Sequence, residues 1–234
     1  MNNSGHTSRI LVWDLPVRIF HWLLAASFAG AFLTAESERW RDVHVMLGYT
    51  TLALVAFRVV WGFVGTRHAR FSGFTYGPSR VLAYLRSLAT GAPAHYTGHN
   101  PAGSWAIYAL LALAVAAGAT GLAVYNDIGG RWLEHLHEFV ANTMLAIVAV
   151  HVVGVIGGSL LHRENLVRSM ITGYKIGSAT DAIGAPRRIV AALLVAVVVG
   201  LWTGVVPTPG LESASTMTPI KSGREAHAYT QQRR

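Results

Sequence analysis

The sequence of 234 residues contains no cysteine. Disulfides, thiolate metal sites and iron–sulfur clusters are therefore excluded, as is covalently attached c-type haem, which needs a Cys-x-x-Cys-His motif. Charged residues are also scarce, at 13% of the chain, whereas 52% of the residues are hydrophobic and the mean hydropathy is +0.40. Several apolar runs are long enough to cross a bilayer, so the sequence predicts an integral membrane protein.

Acidic residues are fewer than basic ones, with 11 Asp and Glu against 19 Lys and Arg. A basic excess occurs in nucleic-acid-binding proteins, but here the basic residues lie mostly between the apolar runs, where membrane orientation explains them better. We therefore expect no nucleic-acid partner. Most of these residues lie before the first run and in the loops 66–103 and 162–188, so the positive-inside rule predicts a cytoplasmic N-terminus.

Five apolar runs predict five transmembrane helices, of which the first four form a bundle. The fifth run places the C-terminal tail in the periplasm, although four basic residues in the tail oppose that placement. Residues 1–12 are expected to be frayed, the tail to be flexible, and a short helix to occupy 79–89 of the long loop. The five predicted helices cover residues 17–35, 43–64, 104–125, 134–161 and 189–206.

The fourth run carries His137 and His151, fourteen residues apart. Fourteen residues of α-helix return to within about 40° of the starting direction and rise about 21 Å, so both imidazoles lie on one face at different depths. His21 in the first helix matches His151 in depth near the cytoplasmic side, and His44 in the second matches His137 near the outer side. Ionisable side chains inside a membrane mark functional sites.

These two matched pairs have the geometry that two planar cofactors stacked across a bilayer require. Haem iron with two axial imidazoles has no open position for oxygen and suits electron transfer, and a helix bundle supplies such ligands from facing helices. We therefore predict an all-α, four-helix bundle with two b-type haems and these four histidines as axial ligands. Small residues one turn from the ligands, including Gly48, would let a porphyrin approach.

Other polar residues allow two interpretations. Arg58, inside the second helix, either extends to the lipid headgroups or pairs with the propionates of the cytoplasmic haem. His135 is rotated by about 160° from His151 and is assigned to the membrane interface. The remaining histidines fall in loops or tails, where we expect them to be solvated; they are His6, His68, His95, His99, His162 and His227. For His68 and His99, contact with a partner protein is left open.

Several motifs resemble those of the bacterial cytochrome b561 family, which includes the membrane cytochrome subunits of hydrogenases. They are WDLPVRIFHW at 13–22, HVMLGY at 44–49, FRVVWGFVG at 57–65 with HARF at 68–71, GHNPAG at 98–103 and HRENLVRSM at 162–170. The resemblance covers about residues 12–176 and implies the same four histidines for two haems. We therefore divide the chain into a di-haem domain (1–176), a linker with the fifth helix (177–206) and a tail (207–234).

The expected function is electron transfer across the bacterial inner membrane, between the quinone pool and a periplasmic redox partner such as a c-type cytochrome. An alternative is a cytochrome b anchor subunit of a hydrogenase-like or other dehydrogenase complex, with the partner docked on the 66–103 loop. A histidine-lined transporter is a weaker hypothesis, because no carboxylate within the spans accompanies the histidines. Besides membrane lipid, the expected partners are quinone and one of these redox proteins; formation of a homodimer is left open.

Overall fold

The computed structural model describes residues 8–91 and 94–208. Within them the chain has seven α-helices and two short strands, and four of the helices are long and apolar enough to cross a membrane. In chain order the elements are β1 (Ser8–Leu11), α1 (Leu15–Thr34), α2 (Arg41–Val64), α3 (Pro78–Ala89), α4 (Pro101–Tyr125), α5 (Arg131–Leu161), α6 (Leu166–Thr172), β2 (Tyr174–Gly177) and α7 (Arg188–Trp202). The long spans are α1, α2, α4 and α5, which confirms the predicted all-α transmembrane bundle.

Capping side chains set the points at which two of the long helices begin. Asp14 accepts a hydrogen bond of 2.8 Å from the Val17 amide at the start of α1. Asn100 accepts one of 2.7 Å from the Gly103 amide at the start of α4. Such side chains satisfy amides that have no partner within the helix. We call the end of the bundle where α1 and α4 begin the N-terminal face, and the opposite end the far face.

The helices do not pack evenly around the bundle. Close packing joins α1 to α2, α2 to α4 and α4 to α5, whereas α5 does not pack extensively along α1 or α2 within the described residues. Phe20, Leu54 and Leu194 form one buried cluster, which joins α7 to α1 and α2. An interhelical slot therefore separates α5 from the α1–α2 pair, and this slot contains the predicted histidines.

A two-stranded antiparallel sheet covers the N-terminal face. In it Ser8 pairs with Gly177 and Leu11 with Tyr174. The prediction of a frayed start is wrong for residues 8–12, because Val12 is fully buried and its amide donates to the Gly173 carbonyl at 2.9 Å. Residues 1–7 lie outside the described residues.

The fifth apolar helix is present but shorter than predicted. Its 15 residues rise about 22 Å, less than the hydrocarbon core of about 30 Å, and it is not among the four candidate spans. The Trp202 indole donates to the Thr50 hydroxyl at 3.1 Å, and Gly204, with φ of +74°, follows the end of the helix. Crossing of the membrane by α7 stays a prediction, and residues 209–234 of the predicted tail lie outside the described residues.

Candidate functional site

The four predicted histidines lie in two pairs across the slot. The ring centroids of His21 and His151 are 6.5 Å apart, and those of His44 and His137 are 6.2 Å apart. Two imidazoles on opposite sides of one metal ion, each with a metal–nitrogen bond of about 2 Å, have centroids about 6 Å apart. The spacing of both pairs is therefore compatible with one iron between each two rings.

The pair near the far face has its ring orientation fixed by backbone carbonyls. His44 Nδ1 lies 2.8 Å from the Ala31 carbonyl oxygen, and His137 Nδ1 lies 3.0 Å from that of Ala117. Because a carbonyl only accepts hydrogen bonds, each Nδ1 carries the proton and each Nε2 keeps its lone pair. This is the form in which a histidine binds a metal, with its second nitrogen held by another group.

Two neighbours of His137 on α4 were not predicted from the sequence. The Thr120 hydroxyl lies 3.1 Å from His137 Nδ1. A Cβ at Gly121 would lie 2.9 Å from His137 Cε1, closer than real Cβ contacts, so glycine makes room for the ring. The only sequence signal was their position on a neighbouring helix at the depth of His137, and that signal does not single them out among many small residues.

The pair near the N-terminal face is held differently. His21 Nδ1 is buried without a hydrogen-bond partner among the described residues. The ring of Trp22 packs edge-on against the His21 ring, with centroids 5.1 Å apart. Packing rather than a hydrogen bond therefore limits the rotation of this imidazole.

Open space lies about one helical turn from two of the four histidines. A Cβ at Gly48, four residues after His44, would meet no atom within 4 Å, and the same holds at Gly154, three residues after His151. A flat macrocycle needs this kind of open space next to its axial ligands. Imidazoles with available Nε2 atoms, their spacing and the small residues thus fit haem.

Arg58 lies on α2 fourteen residues after His44, which is the spacing of His137 and His151 on α5. The side chain is only 3% exposed, so the interpretation that it extends to the headgroups is wrong. Its Nη1 is buried without a partner in the described part of the chain, and its guanidinium carbon lies 5.0 Å from the Phe71 ring centroid and 5.8 Å from that of Phe74. Arg58 therefore lies at the depth of His151 as a buried cation.

His99 contradicts the expectation of a solvated loop histidine. Its ring lies 4.7 Å from that of Trp13 and 4.4 Å from that of Phe74, and its Nδ1 is buried with no hydrogen-bond partner in residues 8–91 and 94–208. Burial, together with the positive charge of Arg58, lowers the pKa of His99 to about 3, so the ring is neutral at pH 7. The sequence does contain one signal for the location of His99. It precedes Asn100, which caps α4, so it must lie at the N-terminal face.

The other loop histidines are placed as follows. His68 Nε2 lies 2.8 Å from the Asp181 carbonyl oxygen, so this ring is hydrogen-bonded within the protein. The His95 side chain is 49% exposed, and that of His135 is 69% exposed. Burial lowers the pKa of His162, which packs against His95. His6 and His227 lie outside the described residues.

Comparison with known proteins identifies the family of the chain. The family model described as prokaryotic cytochrome b561 matches residues 12–173. The chain is similar to the "Probable Ni/Fe-hydrogenase B-type cytochrome subunit" of Azotobacter vinelandii, with 26% identity over 71% of this chain and 88% of that protein. It is also similar to the protein of the same name from Rhodobacter capsulatus, with 26% identity over 71% of this chain and 81% of that protein. The "Probable Ni/Fe-hydrogenase 1 B-type cytochrome subunit" of Escherichia coli K12 is 22% identical, with 70% and 89% covered. No solved structure matches significantly.

The family match covers well over half of the chain and contains all four histidines. It confirms the resemblance of the sequence motifs, and the fold with four membrane-spanning helices agrees with it. The chain therefore belongs to the prokaryotic cytochrome b561 family, as a multi-pass bacterial membrane cytochrome that binds haem b and transfers electrons across the membrane.

Proposed function

We propose that the chain binds two b-type haems stacked across the bacterial inner membrane, one between His21 and His151 and one between His44 and His137. The observation that carries this proposal is the pairing of the four imidazoles, at 6.5 and 6.2 Å, across the slot. Haem held by two imidazoles supplies one-electron transfer with no position open for oxygen. The chain's own residues orient the ligands and place the two pairs at different depths.

Replacing single ligands tests the number of haems and the pairing. Purified protein should contain two haems b per chain. His21→Ala or His151→Ala should remove one spectral component, and His44→Ala or His137→Ala the other. His135→Ala, on the exposed side of α5, is the matched control and should keep both. A folded chain with one haem, or with both components lost in every variant, contradicts the proposal.

Gly48 and Arg58 complete the two pockets in this proposal. The open space at Gly48 supports contact with the haem of the far-face pair, and the burial of Arg58 at the depth of His151 supports contact with the other haem.

Gly48→Leu should reduce the content of the far-face haem, because the leucine side chain would enter the slot. Gly48→Ala is the control, and it should be better tolerated. Equal haem content in wild type and Gly48→Leu would contradict a role for this residue.

We assign the electron exchange at the N-terminal face to the quinone pool. A groove of about 690 Å³ between α1 and α7 supports this assignment, because it is apolar except for Arg18, and Trp22 both lines it and packs on His21. Apolar pockets with a few polar groups are typical small-molecule sites.

Val199→Trp should fill the groove and slow reduction by quinol, while dithionite still reduces both haems. Val197→Trp, on the same helix but outside the groove, is the control.

We assign the electron exchange at the far face to a periplasmic redox partner, and a c-type cytochrome is the first candidate. The names of the relatives favour a second candidate, in which the chain is the cytochrome b subunit of a hydrogenase-like or other dehydrogenase complex. Purification under mild detergent distinguishes the two. Recovery of a stoichiometric dehydrogenase, with reduction by quinol absent for the chain alone, supports the second candidate. An isolated chain that exchanges electrons with quinol and a c-type cytochrome supports the first.

A further inference from the structure

Besides Arg18 Nε and His21 Nδ1, three buried side-chain nitrogens at the N-terminal face have no hydrogen-bond partner among the described residues. They are Trp13 Nε1, Arg58 Nη1 and His99 Nδ1, and they come from three segments that are distant in sequence. A buried donor without an acceptor costs free energy, and a buried charge without a counter-ion costs more. Three such groups together therefore favour a ligand that brings acceptor oxygens.

The three side chains form one cluster. The Trp13 and His99 rings are 4.7 Å apart, and the Phe74 ring lies between His99 and Arg58, at 4.4 Å from the His99 ring and 5.8 Å from the guanidinium carbon. We call these three residues the donor cluster. The contacts with the Trp13 and Phe74 rings limit the rotation of the imidazole.

The nearby carboxylate of Asp14 does not satisfy the cluster. Its oxygens already accept hydrogen bonds from the Val17 amide at 2.8 Å, the Trp61 indole at 3.1 Å and the Thr66 hydroxyl at 2.6 Å. Its charge attracts the guanidinium of Arg58, but no hydrogen bond or ion pair within 4 Å joins the two in the part of the chain that the structure describes. A further carboxylate beside Arg58 would therefore supply an acceptor for Nη1 and a closer counter-charge.

The cluster borders the His21–His151 pair. Arg58 lies at the depth of His151 because both follow, by fourteen residues, a histidine of the far-face pair. His99 is linked to Arg58 through Phe74, which contacts both side chains. A ligand between His21 and His151 with carboxylates at its edge would therefore reach the donor cluster.

We infer that Trp13, Arg58 and His99 form a carboxylate-binding site for the propionates of the haem between His21 and His151. Arg58 supplies the counter-charge, and His99 and Trp13 act as neutral donors. This inference rests on the proposed function, since it needs a haem at that pair. It assigns a haem contact to His99 and Trp13, neither of which the ligand pairing requires.

Redox titration of the two haems tests the inference. Arg58→Gln leaves the propionate charge uncompensated, which favours the oxidised haem; we expect about a tenfold shift of the reduction equilibrium, or a potential lower by about 59 mV for one electron. His99→Phe should shift the same potential by a smaller factor, and His99→Gln, whose amide still donates, should restore it. Arg67→Gln removes the same charge from an exposed residue paired with Asp181 at 3.2 Å, and should change neither haem.

A measurement on the unmodified chain covers variants that fail to fold. Infrared difference spectra with haem isotopically labelled at its propionates should show an ionised, hydrogen-bonded carboxylate. A solvated carboxylate there overturns the inference, as does an unchanged potential in both Arg58→Gln and His99→Phe at full haem content. Protein without haem at the His21–His151 pair overturns the proposed function instead, so the two failures are distinct.

Discussion

At the scale of single residues, the environment of each histidine decides what it can do. His44 and His137 have their Nδ1 atoms directed at carbonyl oxygens, so the lone pair of Nε2 is available in the slot. His21 lacks such a partner among the described residues, although it occupies the matching position of the other pair. The two pairs therefore have different surroundings, and we expect their haems to differ in reduction potential.

Gly121 limits what α4 can place beside His137. A side chain here would collide with the imidazole at Cε1, because even a Cβ lies 2.9 Å from that atom. Gly121→Val should displace the ring and lower the content of the far-face haem severalfold, with the other haem retained. Haem content and absorption spectra measure this. Gly157→Ala, at a position where a Cβ meets nothing within 4 Å, should keep both haems.

Asp14 connects the start of α1 to α2 and to the loop that follows it. It is 1% exposed and accepts three hydrogen bonds, including those from Trp61 and Thr66. Asp14→Asn replaces an acceptor oxygen with an amide group that cannot accept, so we expect the free energy of unfolding to fall by roughly 1–3 kcal/mol. Thermal unfolding of the purified protein measures the loss. Asp42→Asn, at an exposed position in the first turn of α2, is the control with the same charge change.

The sequence identified some of these residues and not others, for a physical reason. The four histidines stand out because ionisable groups are costly inside apolar runs, and helical geometry then relates their depths. Arg58 stood out for the same reason, but its burial depends on Phe71 and Phe74 from the following loop. His99 was expected in solvent because contacts between distant segments cannot be read from local patterns.

At the scale of elements, α5 forms one whole side of the slot and carries one histidine of each pair. The other two histidines lie on α1 and α2, which pack against each other and not extensively against α5. The register of α5 therefore controls both sites at once. The 31 residues of α5 extend beyond its two histidines at both ends, so both ligands lie within regular helix.

An alanine inserted after Leu145 tests this control by α5. The insertion turns His151 by about 100° relative to His137, so both cannot face the slot together. We expect at most one haem per chain, measured by absorption after purification. An alanine inserted after Thr90, in the connection between α3 and α4, should keep both haems. Two haems in the α5 insertion variant would contradict the conclusion that the register of α5 controls both sites.

At the scale of the whole molecule, the described chain is a bundle with one covered end. The sheet of β1 and β2 and the connections around it close the N-terminal face, whose formation the sequence did not predict because neither strand has a long alternating pattern. There the buried Lys175 pairs with Glu164 at 3.2 Å and donates to the Tyr96 carbonyl at 3.2 Å. Within the described residues, the connections between helices at the far face, 35–40 and 126–130, are short. The two ends therefore offer different surfaces to redox partners.

Orientation in the membrane follows from this asymmetry, and the absence of cysteine makes it measurable. Basic residues concentrate at the N-terminal face, so we expect that face in the cytoplasm. In intact spheroplasts, a membrane-impermeant maleimide should label Arg39→Cys at the far face but label Arg86→Cys only after permeabilisation. Val205→Cys, which is 80% exposed beyond the end of α7, then tests whether that helix crosses. Labelling from outside supports a fifth span and a periplasmic tail, whereas labelling only after permeabilisation means that the chain returns to the cytoplasmic side.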